Sequence, residues 1–333
     1  MKACSWPERH VYSCCRRAGC ARGAIRPRAS SNLVRQDQDR RTVADVRISV
    51  ITPTRNRAST FLPDCIASVA SQRLPDSWQL EHIICDDASD PAERLALAQL
   101  AAEHSHIRVV YRTTAGGVAA ARNEAFLASL GEVVTDLDDD DMLPAFALHR
   151  RVSHLLEAGT GWSCGDLLRV DETGHYLIGQ DSSANTNEVF AGTQEGFMQG
   201  LLDGVLIAWT GTRTYLRDTL VTAGPWDESF PVAEDLEHWL RLTALVGAPA
   251  WYPAPASIFR EKQRSLGIDA LRDGSMQRHG DRARERYRSW PDLPRGLPNW
   301  EHRQRAELMD CHGCGRAVSA VHCQVCGERN ILA

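Results

Sequence analysis

The sequence predicts an α/β protein built on a mostly parallel β-sheet flanked by helices. Four apolar, β-branched runs alternate with segments of helical spacing between residues 47 and 134. Such alternation is typical of parallel strands joined by right-handed crossovers. Four consecutive aspartates, Asp138–Asp141, directly follow the fourth run. Because ligands of open α/β sheets gather at the carboxyl ends of strands, this position indicates a functional edge.

Start and stop signals define the elements in order. The predicted elements are a strand at 48–52, a helix at 61–69, a strand at 82–85, a helix from Asp90, a strand at 107–111, a helix from about 118 to 130 and a strand at 132–134. Asp90–Glu93 resembles a capping box with proline in the first turn. Pro144 is equally suited to open a further helix.

The second half of the chain alternates less regularly. Residues 160–231 are rich in Gly, Thr and Asp and predict loops and antiparallel strands. Helical spacing returns at 233–245, and residues 266–308 are charged and predicted to be helical in part. No G-x-G-x-x-G follows the first strand, which disfavours a dinucleotide-binding unit.

Composition and charge exclude several classes of protein. The chain has 333 residues, 43% of them hydrophobic and 24% charged, with a net charge of −5. Residues 1–47 contain eleven Lys and Arg but four Asp and Glu, so the remainder is acidic and unsuited to general nucleic-acid binding. No apolar run approaches the roughly 18 residues that span a bilayer, and the amino terminus has no apolar signal region. We therefore expect a soluble, cytoplasmic protein.

The aspartate cluster is the strongest chemical signal. A solvated acidic loop is the simplest alternative interpretation of such a run. At a strand end, however, four like charges repel one another unless a cation lies among them, and carboxylate oxygens suit Mg²⁺ or Mn²⁺. The sequence therefore predicts a divalent metal site at Asp138–Asp141, with the register of the ligands left open by one residue.

Five segments in the same order resemble family 2 glycosyltransferases of the GT-A fold. The segments are Val50–Arg57, Cys85–Asp90, Gly117–Asn123, Leu137–Asp141 and Gly224–Leu242. The resemblance covers about residues 47–265 and implies a GT-A-type sheet, a nucleotide-sugar donor and a hydroxyl acceptor. The Gln-x-x-Arg-Trp segment of processive synthases is absent, which favours transfer of one sugar to a discrete acceptor. Gln263 stands where relatives often carry histidine.

The resemblance also implies roles for individual residues. Asp87 would hydrogen-bond the uracil edge of a UDP-sugar, and the backbone from Pro53 to Arg55 would line the nucleotide. Arg122 would face the base or the diphosphate. The implied metal ligands are Asp138, which also belongs to the donor site, Asp140 and Asp141.

Sugar transfer further needs a general base. The leaving diphosphate needs its charge neutralised, which a metal supplies, and the acceptor hydroxyl must lose a proton. Asp235 is the candidate, because the family's Glu-Asp pair places the base on the second residue and the dipole at a helix start favours the ionised form. A single displacement would invert the anomeric centre. The alternatives are that Asp235 only caps the helix, while Glu234 or Asp227 serves as base or none does.

Cysteines near the end of the chain form a second motif. They are two Cys-x-x-Cys-Gly pairs, Cys311 with Cys314 and Cys323 with Cys326. This double spacing predicts a zinc ribbon with structural Zn²⁺, since a cytoplasmic setting disfavours disulfides. Such a module would dock a protein partner or pack against the catalytic domain.

The predicted organisation has four parts. They are a disordered basic leader at 1–46, a GT-A glycosyltransferase domain at 47–265, a helical extension at 266–308 and a zinc-ribbon-like module at 309–333. The predicted function is a soluble, inverting, metal-dependent glycosyltransferase. Two alternatives stay open: a non-catalytic sugar-nucleotide-fold scaffold that acts through its ribbon, and a GT-A-like nucleotidyltransferase. The glycine-rich, lysine-containing phosphate loop expected of the latter is absent near the first strand.

Overall fold

The computed structural model describes most of the predicted catalytic region. The described residues are 45–177, 192–207 and 209–300, with the backbone of two short strands, Met309–Asp310 and Ala317–Val318. Nearly all of the predicted basic leader lies outside them. The same is true of the four cysteines of the predicted zinc ribbon, Cys311, Cys314, Cys323 and Cys326. Leader and ribbon therefore stay predictions.

Seven strands form one mixed sheet in the order β3-β2-β1-β4-β6-β5-β7. They are β1 (Arg47–Thr54), β2 (Gln79–Asp86), β3 (Ile107–Tyr111), β4 (Val133–Asp136), β5 (Trp162–Val170), β6 (Thr214–Leu216) and β7 (Ala250–Arg260). Strands β1 to β4 pair in parallel, as the alternation predicts. Strand β6 is antiparallel to β4 and β5, whereas β5 and β7 are parallel. The strands at 309–310 and 317–318 form a separate antiparallel pair.

Helices connect and flank these strands. They are α1 (Leu62–Ala70), α2 (Pro91–Ala102), α3 (Val118–Ala128), α4 (Ala147–Ala158), α5 (Gln194–Leu202), α6 (Arg217–Ala223), α7 (Glu234–Leu245), α8 (Leu266–Arg272) and α9 (Ser275–Tyr287). Helices α1, α2, α3 and α7 begin within one residue of the predicted starts. Helix α4 begins three residues after Pro144, because Phe146 adopts a left-handed conformation with φ of 63°. Within the described ranges, no helix is both long and apolar enough to cross a bilayer.

The prediction for residues 160–231 is only partly right. The antiparallel strand β6 is present, but α5 and α6 were predicted as loop. Gly196 and Gly200 inside α5 lower its helix propensity, and α6 is only seven residues long. Strand β7 was also missed, because Pro253 and Pro255 interrupt its apolar pattern. The prolines are tolerated because β7 is an edge strand.

Both faces of the sheet are covered by helices. Adjacent residues of one strand point to opposite faces, so Ile51 joins one core and Val50 the other. The Val50 core contains residues of α1, α2 and α4. The Ile51 core contains residues of α3, α5 and α7, and it also includes Ala283 and Tyr287 of α9. The helical extension therefore belongs to the same core as the parallel sheet.

This topology brings the predicted site segments to one edge of the sheet. Thr54 at the end of β1 is level with Asp86 at the end of β2, and Asp136 at the end of β4 pairs with Ile51. The loops that carry Asp87 and the Asp138–Asp141 cluster therefore leave the sheet side by side.

Candidate active site

The acidic loop after β4 spreads its aspartates over different partners. Its backbone is fixed by Leu137, whose N–H donates to the Ile51 carbonyl at 3.0 Å. Asp138 accepts a hydrogen bond from Arg122 at 2.8 Å, and Asp139 accepts one from the Thr54 hydroxyl at 2.7 Å. Asp140 forms an ion pair with Lys262. The Asp138 and Asp140 side chains retain 33% and 20% exposure, so both reach solvent.

Asp141 faces the interior. It is 2% exposed, and one carboxylate oxygen accepts the Arg260 backbone N–H at 3.0 Å. Burial and the nearby Asp138 charge raise its pKa well above the usual range. Asp141 thus anchors the acidic loop to β7 and does not join Asp138 and Asp140. Over the described ranges, no three acidic, histidine or cysteine side chains converge as a ready metal cluster.

Asp138 and Asp140 nevertheless fit a divalent ion as a pair. Their donors are hard carboxylate oxygens at a strand end, which Mg²⁺ and Mn²⁺ prefer. Arg122 contacts one oxygen of Asp138 and Lys262 contacts one oxygen of Asp140, which leaves the other oxygen of each carboxylate for an ion. Mg²⁺ typically takes one or two carboxylates together with substrate phosphates, so two protein ligands are sufficient.

Arg122 connects this loop to α7. Its side chain is 1% exposed and donates to Asp138 at 2.8 Å and to Glu234 at 3.0 Å. Although burial opposes its charge, Asp138 and Glu234 raise the pKa of Arg122 above its ordinary value. The guanidinium also lies over the Trp226 ring, 5.6 Å from the centroid. Arg122 is therefore a fixed bridge between two carboxylates, and its contact with the base or the diphosphate stays a prediction.

Asp235 lies in the first turn of α7, beside this bridge. Burial and the Glu234 carboxylate raise the pKa of Asp235 to about 7. The helix dipole alone was expected to favour its ionised form, but these two effects outweigh it. Ala233, two residues before Asp235, has a φ of 59°. This left-handed conformation is strained for alanine, and strained residues of this kind cluster near functional sites.

The other two candidate bases are already engaged. Glu234 accepts the hydrogen bond from Arg122, and Asp227 accepts one from Arg286 at 2.7 Å. Despite partial burial, the hydrogen bonds from Arg286 and Ser229 lower the pKa of Asp227. A carboxylate that is already paired with an arginine is a weak proton acceptor, so these contacts favour Asp235.

A second buried arginine was not anticipated from the sequence. Arg213 precedes β6, is fully buried and contacts Asp136 at the end of β4. Its guanidinium lies over the Trp239 ring of α7, 5.8 Å from the centroid, and its charge lowers the pKa of Asp235 against the burial effect. No local pattern marks this pair, because its members are 77 residues apart in the chain.

The predicted donor residues lie at the same edge. Asp87 is 4% exposed and accepts hydrogen bonds from the Gly116 and Gly117 N–H groups, both at 2.8 Å, and it pairs with Arg112 at 2.9 Å. Asp87 therefore orders the turn that begins α3, and its contact with uracil stays a prediction. Pro53 lies on β1 and Arg55 is exposed just beyond it.

An open groove of about 790 Å³ lies elsewhere on the protein. Its lining residues carry charges of both signs: Leu202, Asp203, Gly204, Gln277, Asp281, Arg282, Arg284, Glu285 and Arg288. It is formed by the end of α5 and by α9, away from the carboxyl ends of β1, β2 and β4. The aspartates and buried arginines, rather than the size of this groove, mark the candidate site.

Comparisons with known proteins identify a family for this chain. The family described as Glycosyl transferase family 2 matches residues 49–220. TuaG of Bacillus subtilis strain 168, named for teichuronic acid biosynthesis, is 29% identical over 195 residues, which cover 59% of this chain and 71% of TuaG. The Escherichia coli protein WfgD, named a UDP-Glc:alpha-D-GlcNAc-diphosphoundecaprenol beta-1,3-glucosyltransferase, is 30% identical over 122 residues. That match covers 37% of this chain and 46% of WfgD.

Solved structures show the same fold. TarS 1–349 of S. aureus in complex with UDP-GlcNAc matches with a TM-score of 0.54 and 18% identity. The match covers 66% of this chain and 60% of TarS 1–349. The chain thus spans less than two thirds of this TarS structure and less than half of WfgD.

Proposed function

The chain belongs to glycosyl transferase family 2 and is a glycosyltransferase, and from this premise we propose that it transfers one sugar from a UDP-sugar to a hydroxyl group of a discrete acceptor, with inversion. The UDP-sugar donor is supported by the name of WfgD and by the UDP-GlcNAc bound to TarS. One observation carries the proposal: Arg122 joins Asp138, on the donor side, to Glu234, which neighbours Asp235. A non-catalytic scaffold and a nucleotidyltransferase no longer stand as alternatives.

We assign separate tasks to the two acidic groups. Asp235 takes the proton of the acceptor hydroxyl while the oxygen attacks the anomeric carbon from the face opposite the leaving UDP. Asp138 and Asp140 would hold the divalent ion, which supplies Lewis-acid stabilisation of the departing diphosphate. Arg122 and Arg213 hold the carboxylates of Asp138, Glu234 and Asp136 in fixed orientations. The direct test is release of UDP from a panel of UDP-sugars, with GDP- and dTDP-sugars as comparison.

Metal removal should stop this reaction. We expect EDTA to abolish UDP release and Mn²⁺ or Mg²⁺ to restore it. Asp140→Asn should lower kcat/KM by about 100-fold, equivalent to about 2.7 kcal/mol of lost transition-state stabilisation. Asp269→Asn, an exposed aspartate on α8, is the matched control and should change little. Full turnover in rigorously metal-free protein would contradict the metal assignment.

The rate should also follow the protonation of Asp235. Because a base must be deprotonated, and burial beside Glu234 raises the pKa of Asp235 to about 7, kcat/KM should decline as the pH falls below that value. The limiting slope is about tenfold per pH unit. A pH profile of kcat/KM measured at saturating metal provides the test. A flat profile from pH 5 to 8 is the outcome that excludes Asp235 as the base.

We further propose that the four carboxyl-terminal cysteines hold one structural Zn²⁺ and form a docking module. The support is their spacing, Cys311-x-x-Cys314 and Cys323-x-x-Cys326, which suits tetrahedral thiolate coordination. Elemental analysis should find one zinc per chain, released by Cys314→Ser. Sugar transfer should survive that substitution, because none of the catalytic residues proposed above lies in this segment.

A further inference from the structure

Lys262 places a second side-chain cation, after Arg122, beside the proposed metal ligands Asp138 and Asp140. It lies two residues beyond the end of β7, and its ammonium contacts Oδ2 of Asp140. The Lys262 side chain is only 5% exposed, so the contact is made inside the edge of the site. Each of the two carboxylates thus has a side-chain counter-charge, Arg122 on Asp138 and Lys262 on Asp140.

The two counter-charges differ in how firmly they are held. Arg122 is held between Asp138 and Glu234 and packs on Trp226. Lys262 is a point charge on a flexible four-carbon stem, and Asp140 is its ion-pair partner in this structure. An ammonium of this kind can exchange its carboxylate for a phosphate oxygen.

The surroundings of Lys262 favour such an exchange. Its ammonium lies 5.2 Å from the centre of the Phe61 ring, and the guanidinium groups of Arg57 and Arg260 lie 5.6 Å and 5.2 Å from the same centre. Lys262 and Arg57 repel each other across this ring, whereas the charge of Arg260 is paired with Asp64 at 2.7 Å. Arg57 is only half-buried. A diphosphate arriving at this edge would relieve that repulsion, whereas a divalent ion alone would increase it.

We propose that Lys262 is a resident counter-ion of Asp140 that competes with the divalent ion in the free enzyme and moves to the diphosphate when the nucleotide binds. The proposal rests on the function proposed above, because it assigns the diphosphate to this edge. It implies that nucleotide and ion bind cooperatively, since the nucleotide removes the competitor of the ion. By linkage, the ion must raise nucleotide affinity by the same factor.

Binding measurements on the 333-residue chain test this without any turnover. Mn²⁺ affinity is measured by electron paramagnetic resonance with and without UDP, and UDP affinity by calorimetry with and without Mn²⁺. Lys262→Met keeps the length of the side chain and removes its charge. Arg264→Met removes one charge from the same loop at an exposed position and is the matched control.

Lys262→Met should bind Mn²⁺ at least about tenfold more tightly than wild type in the absence of UDP, a factor equivalent to about 1.4 kcal/mol. It should bind UDP more weakly in the absence of metal. The factor by which each ligand raises the affinity for the other should also fall about tenfold. Arg264→Met should change each affinity less than threefold. Lys262→Arg retains the charge and should resemble wild type in its Mn²⁺ affinity, which separates charge from packing.

Unchanged Mn²⁺ affinity in Lys262→Met, or an equal gain in Arg264→Met, overturns the proposal. This failure is distinct from failure of the proposed function. If no nucleotide binds to the wild-type protein, the donor assignment fails, while the nucleotide-free Mn²⁺ comparison still decides whether Lys262 competes for Asp140. Thermal unfolding of each variant verifies that the fold is intact.

Discussion

Asp235→Asn is expected to reduce sugar transfer by roughly 10²–10⁴-fold, the range typical for loss of a general base. The amide cannot accept the proton of the acceptor hydroxyl, whereas its size and its place in the first turn of α7 are unchanged. Donor binding should change little, since Asp138 and Asp140 lie on a different loop. Measurement of kcat with saturating donor and acceptor, together with UDP affinity, separates these two effects.

The same substitution should stabilise the fold. Because the folded protein raises the pKa of Asp235 from 3.8 to about 7, ionisation of this group disfavours the folded state. The unfavourable contribution is absent below pH 3.8, grows as the pH rises and is complete above about 7. Asp235→Asn should therefore unfold at a higher temperature than wild type at pH 8 and at the same temperature near pH 3.

Two neighbouring acids serve as controls. Glu234→Gln disturbs the Arg122 bridge, and Asp227→Asn disturbs the pair with Arg286, but each leaves Asp235 in place. Asp227→Asn should keep the decline of kcat/KM near pH 7 even if its rate falls. Glu234→Gln should move that decline to lower pH, because it removes the carboxylate charge that helps to raise the pKa of Asp235. If the activity of Asp235→Asn stays within a few-fold of wild type while Glu234→Gln or Asp227→Asn loses the decline of kcat/KM at low pH, the residue replaced in that variant is the base.

The parallel half of the fold follows from local signals. Apolar runs, capping residues and the prolines at Pro53 and Pro91 mark β1 and α2 within a few residues, and the alternation determines that the strands are parallel. The position of the aspartate cluster at a strand end is equally local. These features could be predicted because each depends on residues that are close together in the chain.

The charged interior could not be predicted in this way. Arg122 and Glu234 are 112 residues apart, and Asp136 and Arg213 are 77 residues apart, yet each pair is buried. A single charged residue in a sequence indicates an exposed surface, since such residues are seldom buried unless they are paired. The pairing appears only once β6 and α7 are placed beside β4. His238 of α7 is likewise fully buried, against Trp226.

The domain boundary expected at residue 265 also came from local pattern. Residues 266–300 are strongly charged, which suggested an appendage to the domain. In the structure, three side chains from α7 and α9 surround the carboxylate of Glu237, which lies two residues after Asp235. Glu237 accepts hydrogen bonds from Arg241 at 2.6 Å, from Tyr287 at 2.9 Å and from Arg286 at 3.0 Å. We therefore propose that the catalytic domain extends to about residue 300.

Tyr287→Ala is expected to lower the free energy of unfolding by about 3–5 kcal/mol, as for other large aromatic residues removed from a core. Tyr287 is fully buried, packs in the same core as Ile51 of β1, and donates its hydroxyl hydrogen to the buried Glu237. The loss should affect the whole domain, because α9 and the sheet share that core. Chemical denaturation followed by both tryptophan fluorescence and far-UV circular dichroism should therefore show one transition shifted to lower denaturant.

Tyr176→Ala is the matched control, because Tyr176 is 59% exposed and lies outside the core. Its free energy of unfolding should stay within about 0.5 kcal/mol of wild type, as for other surface substitutions. If residues 266–300 were an independent appendage, Tyr287→Ala would instead produce a separate early transition and leave the main one unchanged. The two-probe denaturation curves distinguish these outcomes, because only a shared core couples a residue of α9 to the unfolding of β1.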